Sequence, residues 1–81
     1  MELERQIIDD IMSSPCIEEI KQYEEKDLVW LHFSLGMYIR NNYLYGKKGN
    51  IQALAKYYKI SPEPDEISGR IVESIIKKVR G

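Results

Sequence analysis

Apolar residues recur along this chain at spacings of three and four, the period of an amphipathic α-helix, and no stretch shows the alternation a half-buried strand requires. Leu3, Ile7, Ile8, Ile11 and Met12 predict a first helix, ended by Ser13-Ser14-Pro15, which supplies a stop, a cap and a first-turn proline for the next. Cys16, Ile17, Ile20 and Tyr23 make a narrow stripe on a second, surface helix from Pro15 to about Tyr23. Between Asp27 and Tyr45 the pattern changes. Leu28, Leu31, Leu35 and Ile39 share one face, but Val29, Phe33, Met37 and Tyr38 lie beside it, so this helix is apolar over most of its circumference and is expected at the centre of the fold. Asp27 is placed to cap its N-terminal end.

The loop Gly46-Lys47-Lys48-Gly49-Asn50 follows, with Asn50 able to cap a short helix carrying Ile51, Leu54, Ala55 and Tyr58 and ending near Lys59. Pro62, Pro64 and the acids Glu63, Asp65 and Glu66 mark the start of a last helix, because proline is accepted in a first turn and carboxylates favour the positive helix end. Ile67, Ile71, Ile75 and Val79, widened by Val72 and Ile76, form its core face, and Lys77, Lys78 and Arg80 suit its C-terminal end. The expected architecture is a single all-α domain over residues 1–81. Four or five short helices form a compact bundle around the helix at about 27–45, with acidic N-terminal helices over 1–26 and the core region over 27–81.

Length and charge refine this picture. Eighty-one residues allow one core, of a size that buries roughly 60 to 65% of the unfolded chain's surface and therefore profits from a partner. Residues 1–27 hold nine acids against three bases, whereas residues 28–81 hold four acids against nine bases, within a net charge of −1. An acidic N-terminal segment folding back on a basic remainder is expected, with masking of a basic binding face as the sharper version. One cysteine permits neither an internal disulfide nor a multi-cysteine metal site, and it fits a reducing compartment, the cytoplasm. The longest uncharged run, Leu28 to Ile39, falls short of the roughly 20 residues a membrane helix needs, and the acidic start lacks a signal peptide's basic residues.

The words Leu31-His32-Phe33, Leu35-Gly36-Met37, Ile39-Arg40-Asn41-Asn42 and then Pro64-Asp65 with Ser68 and Ile71 resemble a family of small, uncharacterised bacterial and phage-associated proteins, a domain of unknown function. Its pattern is LHFxLGMxIRN, a glycine-containing loop and PDxxSxxI, and the likeness covers about residues 28–76. Relatives of this kind usually carry tryptophans and a second histidine near the loop and the Pro-Asp pair. Tyr43, Tyr45 and Glu63 stand there in this chain, which weakens any metal or acid–base chemistry. The resemblance implies no activity.

The candidate chemistry lies on the polar edge His32, Gly36 and Arg40, where the glycine leaves a gap for another backbone. A guanidinium partly removed from water needs a fixed carboxylate, for which Asp65 is the natural choice, and Ser68 one turn later can donate to His32 or Arg40. His32, Arg40, Asn41, Asp65 and Ser68 thus form either a structural network or a cleft. Cys16 is expected to be a packing residue rather than a nucleophile.

Three function classes follow. A noncatalytic protein-interaction module, such as a phage-borne regulator or inhibitor of a larger protein, is favoured by six tyrosines plus Trp30 and Phe33, more aromatic surface than so small a core hides. Its expected binding surface is Tyr43, Tyr45, Lys47, Lys48 and Tyr57, its partner is a protein, and self-association is open. A helix-turn-helix DNA binder is suggested by Leu54-Ala55-Lys56, Ile60-Ser61 and Ile67-Ser68-Gly69-Arg70-Ile71, yet acids would open its recognition helix, where phosphates demand donors. A small RNase-like or toxin-related enzyme is the third class, but an RNase built on Arg40-Asn41 lacks the histidine five residues on, where Tyr45 stands. One histidine makes no ordinary zinc site, and neither a metal nor a cofactor is expected.

Overall fold

The computed structural model describes residues 1–15 and 17–80. Among these residues five α-helices form the bundle and no strand occurs: α1 (Glu2–Met12), α2 (Ile17–Gln22), α3 (Leu28–Ile39), α4 (Lys48–Tyr58) and α5 (Pro64–Arg80). The expectation for Cys16 lies outside the described residues. A 3-10 turn (Glu25–Asp27) leads into α3, and a π-helical turn (Arg40–Leu44) leads out of it.

The hub of the bundle is α5, which packs against all four other helices. Its isoleucine ladder explains this: Ile67, Ile71 and Ile75, with Val72 and Ser68, are fully buried along one stripe. The helix expected at the centre, α3, lies against α5 with Leu31, Leu35 and Ile39 inward and Leu28 half-buried beside them, while Val29, Trp30, Phe33, Met37 and Tyr38 face solvent. Ile7, Ile8 and Ile11 of α1, Ile17 and Ile20 of α2, and Leu54 and Ala55 of α4 close the core.

Local polar groups do less capping than the sequence suggests. Asp27 precedes α3 without capping it, because Asp27 Oδ2 accepts the Glu24 backbone N–H at 3.3 Å and so fixes the 3-10 turn. Asn50 lies inside α4 rather than before it, and its Nδ2 donates to the Tyr43 carbonyl at 2.9 Å, tying α4 to the π turn. Ser14 Oγ donates to the Ile11 carbonyl at 2.7 Å, closing the end of α1. At the end of α4, Lys59 takes the left-handed conformation (φ 60°), with Ile60 N–H donating to Ala55 O at 3.0 Å and Lys59 N–H to Lys56 O at 3.3 Å. That is a Schellman close with lysine where glycine is usual.

The two oppositely charged halves meet, but ion pairing contributes little to the contact. Among the described residues only Lys78–Asp9, at 3.7 Å and largely exposed, joins a base of residues 28–81 to an acid of residues 1–27. Such a rim pair is worth about 0 to 1 kcal/mol. Tyrosine hydroxyls hold α1 more directly, since Tyr58 donates to Glu4 and Tyr43 donates to Asp10.

Candidate functional site

Arg40 opens the π turn and reaches back over Gly36 to α5. Its Nη1 donates to Ser68 Oγ at 2.9 Å, its Nε lies 3.4 Å from Asp65 Oδ1, and Ser68 Oγ donates to the Asp65 carbonyl at 3.0 Å. The gap left by glycine is thus filled by the guanidinium and not by another backbone: a Cβ on Gly36 would stand 3.1 Å from Arg40 Nη1 and 3.7 Å from Ser68 Oγ. Ser68 accepts from Arg40, the reverse of the expected donation.

Of the five expected members, the seam joins three. His32 is half-buried on α3 and has no hydrogen bond among the described residues, while Asn41 is exposed. Solvent access also divides the ion pair unequally, the side chain of Arg40 being 17% exposed and that of Asp65 85%. A carboxylate so open to water cannot form the buried pair that the sequence suggested. What remains is a fully buried serine hydroxyl, donating to the Asp65 carbonyl and accepting from the Arg40 guanidinium. This arrangement ties the end of α3 to α5.

The expected binding residues separate as well. Tyr45, Lys47, Lys48 and Tyr57 are exposed, but Tyr43 is half-buried against the core, with its hydroxyl on Asp10. The π turn accounts for this. Tyr45 N–H donates to Arg40 O at 2.8 Å, an extra residue per turn that rotates Tyr43 and Leu44 inward. Burial raises the tyrosine hydroxyl pKa of Tyr43, and the Asp10 carboxylate raises it further. Tyr58 is likewise raised, first by burial and then by its hydrogen bond to Glu4. No ring contact or hydrogen bond joins Tyr45 to Tyr57 among the described residues.

The surface that sequence reasoning missed is the outer face of α3. Val29, Trp30, Phe33, Met37 and Tyr38 are all exposed, Trp30 at 68% and Phe33 at 58%, and the Trp30 and Phe33 rings meet edge to face at 6.4 Å. Beside them a groove of about 180 Å³ runs between α2 and α3, lined by Ile20, Tyr23, Leu31 and Leu35 with Ser34, Tyr38 and the acid Glu19 at its edge. A helix apolar on every side, next to a longer α5 whose own stripe already fills the core, was the available signal.

Elsewhere the surface offers little chemistry. Among the described residues no group of three His, Cys, Asp or Glu side chains could hold a metal ion, and no helix is long and apolar enough to cross a membrane. At the start of α5, Arg70 shares a shallow depression with Asp65, Glu66 and Glu73, acids that repel phosphate.

Fold and seam together define a small all-helical domain in which, among the described residues, the buried Ser68 joins Arg40 to α5 and the outer face of α3 exposes apolar side chains. The chain belongs to the family described as Domain of unknown function (DUF6794), whose model matches residues 5–79 and so takes in the N-terminal helices as well as the motifs of α3 and α5. No curated protein and no solved structure matches the chain.

Proposed function

We propose that this protein is a noncatalytic protein-interaction module that docks through the outer face of α3. The observation that carries the proposal is the unbroken exposure of Val29, Trp30, Phe33 and Met37 on one helix face. A chain this small has few apolar residues to spare for water, and contiguous exposed apolar surface on a small domain marks a place where another surface is normally seated. Tryptophan and phenylalanine are also the side chains that dominate binding energy when buried at an interface. The exposed Tyr45, Lys47 and Lys48 beyond the π turn extend the contact, the lysines by steering an acidic surface rather than by adding much affinity.

A regulatory or inhibitory role toward a larger bacterial or phage protein is the use we propose for such a module, supported by the resemblance of its motifs to bacterial and phage-associated proteins. Cytoplasmic residence agrees with a chain that has a single cysteine. The test is affinity capture from the native host, run in parallel with wild type and the Phe33→Glu variant. Partners held by wild type and lost by a folded Phe33→Glu support the proposal; partners retained at full strength by the variant contradict it.

A further inference from the structure

We infer that the occupant of the α3 face is a second copy of this chain, docked antiparallel about a two-fold axis passing beside Phe33 and Ser34. The inference rests on the reading of that face as a docking surface.

The face is built for burial. No charge occurs from Leu28 to Ile39, and the outward hydroxyl of Ser34 already donates to the Trp30 carbonyl at 3.0 Å, so covering that hydroxyl strands no donor; the Trp30 indole N–H and the Tyr38 hydroxyl keep water or find acceptors at the edge of the contact. Such a surface loses little polar hydration when another apolar helix covers it.

Its shape is self-complementary. In the antiparallel register Trp30 of one copy meets Met37 of the other on the midline, while beside the axis Phe33 meets Phe33 on one side and Ser34 meets Ser34 on the other. Aromatic faces thioether on the midline and ring faces ring beside the axis, pairings that favour contact. Trp30 then lies at the lip of the groove that Ser34 and Tyr38 border, which offers a recess of about 180 Å³ for an incoming side chain. Because each copy carries both the projecting ring and the recess, the contact closes on itself as a symmetric dimer does.

Charge sets the direction. Before α3 stand Glu24, Glu25, Lys26 and Asp27, with three acids to one base, and after the π turn stand the exposed Lys47 and Lys48, which have no ion pair among the described residues. Arg40 at that end is already matched by Asp65. Antiparallel docking brings the acidic flank of each copy alongside the lysines of the other and opposes the two helix dipoles, whereas parallel docking sets like charges together.

Sedimentation of the full chain over a range of micromolar concentrations tests this, with the emission of Trp30, the single tryptophan, as a second readout. The expected result is a concentration-dependent dimer whose tryptophan emission moves to shorter wavelength as it forms. Phe33→Glu should weaken association by at least about 30-fold, as loss of an interface hot spot does. Should Phe33→Glu lose its helical signal, Trp30→Lys carries the same test on a residue that is 68% exposed. Oxidative cross-linking in a Cys16→Ser background fixes the geometry: Ser34→Cys should cross-link between copies and Val29→Cys should not. A dimer indifferent to these substitutions, or one that cross-links equally at both positions, overturns the inference. A monomer at every concentration also overturns it, while leaving the docking face itself standing if Phe33→Glu still loses a captured partner.

Discussion

Arg40 and Ser68, 28 residues apart, are joined by a hydrogen bond of 2.9 Å that carries the end of α3 across to the buried side of α5. The serine, not the carboxylate, is the buried end of this contact, and it determines how substitutions in the seam should rank. Ser68→Ala leaves an Arg40 donor without its partner in a site that is 1% exposed at the serine, a loss of about 1 to 3 kcal/mol. Asp65→Ala, at a carboxylate open to water, should cost less than about 1 kcal/mol. Thermal unfolding separates the two, since 1 kcal/mol moves the midpoint of a domain this size by about 4 to 8 °C. Equal losses, or a larger one at Asp65, would show that the carboxylate carries the seam.

Gly36 should respond to what Arg40 does. Alanine there gains about 1 kcal/mol of helix propensity but brings its Cβ to 3.1 Å from a guanidinium tethered at Ser68. We therefore expect Gly36→Ala to destabilise the wild-type chain and to stabilise the Arg40→Ala chain. A double-mutant cycle on denaturant midpoints measures the coupling, and additive effects would mean that the glycine does not serve the arginine.

How far the sequence disclosed these features depends on the range of the interactions behind them. The isoleucine ladder of α5 and its Pro-Asp-Glu start were legible because helical periodicity and first-turn chemistry are local. Arg40 and Asp65 were legible as partners because a guanidinium on an apolar helix needs an acceptor, but the carboxylate's exposure was not, since it depends on where the start of α5 lies. The outward face of α3 escaped for a different reason: an apolar helix has no polar side to announce which way it turns. Asp27 and Asn50 looked like caps because their side chains suit that role, yet each found another backbone group within reach, the Glu24 N–H and the Tyr43 carbonyl. The π turn that swings Tyr43 inward leaves no residue signature.

Faces of α3 can be distinguished by truncation. Ile39, fully buried, should cost about 2 to 5 kcal/mol as Ile39→Ala. Phe33→Ser, on a ring 58% exposed, should change monomer stability far less. Equal destabilisation of the two variants at a concentration where the chain is monomeric would contradict the assignment of the outer face.

Alkaline pH should loosen α1. Tyr43 and Tyr58 have hydroxyls whose pKa values are raised in the folded chain by burial and by the carboxylates of Asp10 and Glu4. The unfolded chain releases these protons near pH 10, and the folded chain does so only above it. The stabilisation is therefore complete below about pH 10 and declines as pH rises past it toward the folded-state values. Unfolding midpoints measured from pH 8 to pH 11 should fall at the alkaline end, and should fall less steeply in a Tyr43→Phe, Tyr58→Phe double variant. Identical slopes would remove the tyrosines from the account.

Among the described residues Lys59 is the non-glycine residue with positive φ, and Lys59→Gly should relieve it. The left-handed conformation costs a side-chain-bearing residue roughly 1 to 2 kcal/mol, part of which glycine returns through its own flexibility in the unfolded chain. A net gain of up to about 1 kcal/mol in denaturant unfolding is expected; a loss would mean that the lysine side chain stabilises the Schellman close.

The most direct measurement of whether the α3 face is a docking surface uses a photoreactive amino acid at position 33, compared with the same residue at Glu73, exposed on α5. In cells of the native host, the account predicts a discrete protein adduct from position 33, whether to a second copy or to another protein, and none from position 73. Absence of any adduct at position 33, or equal adducts at both positions, would contradict it.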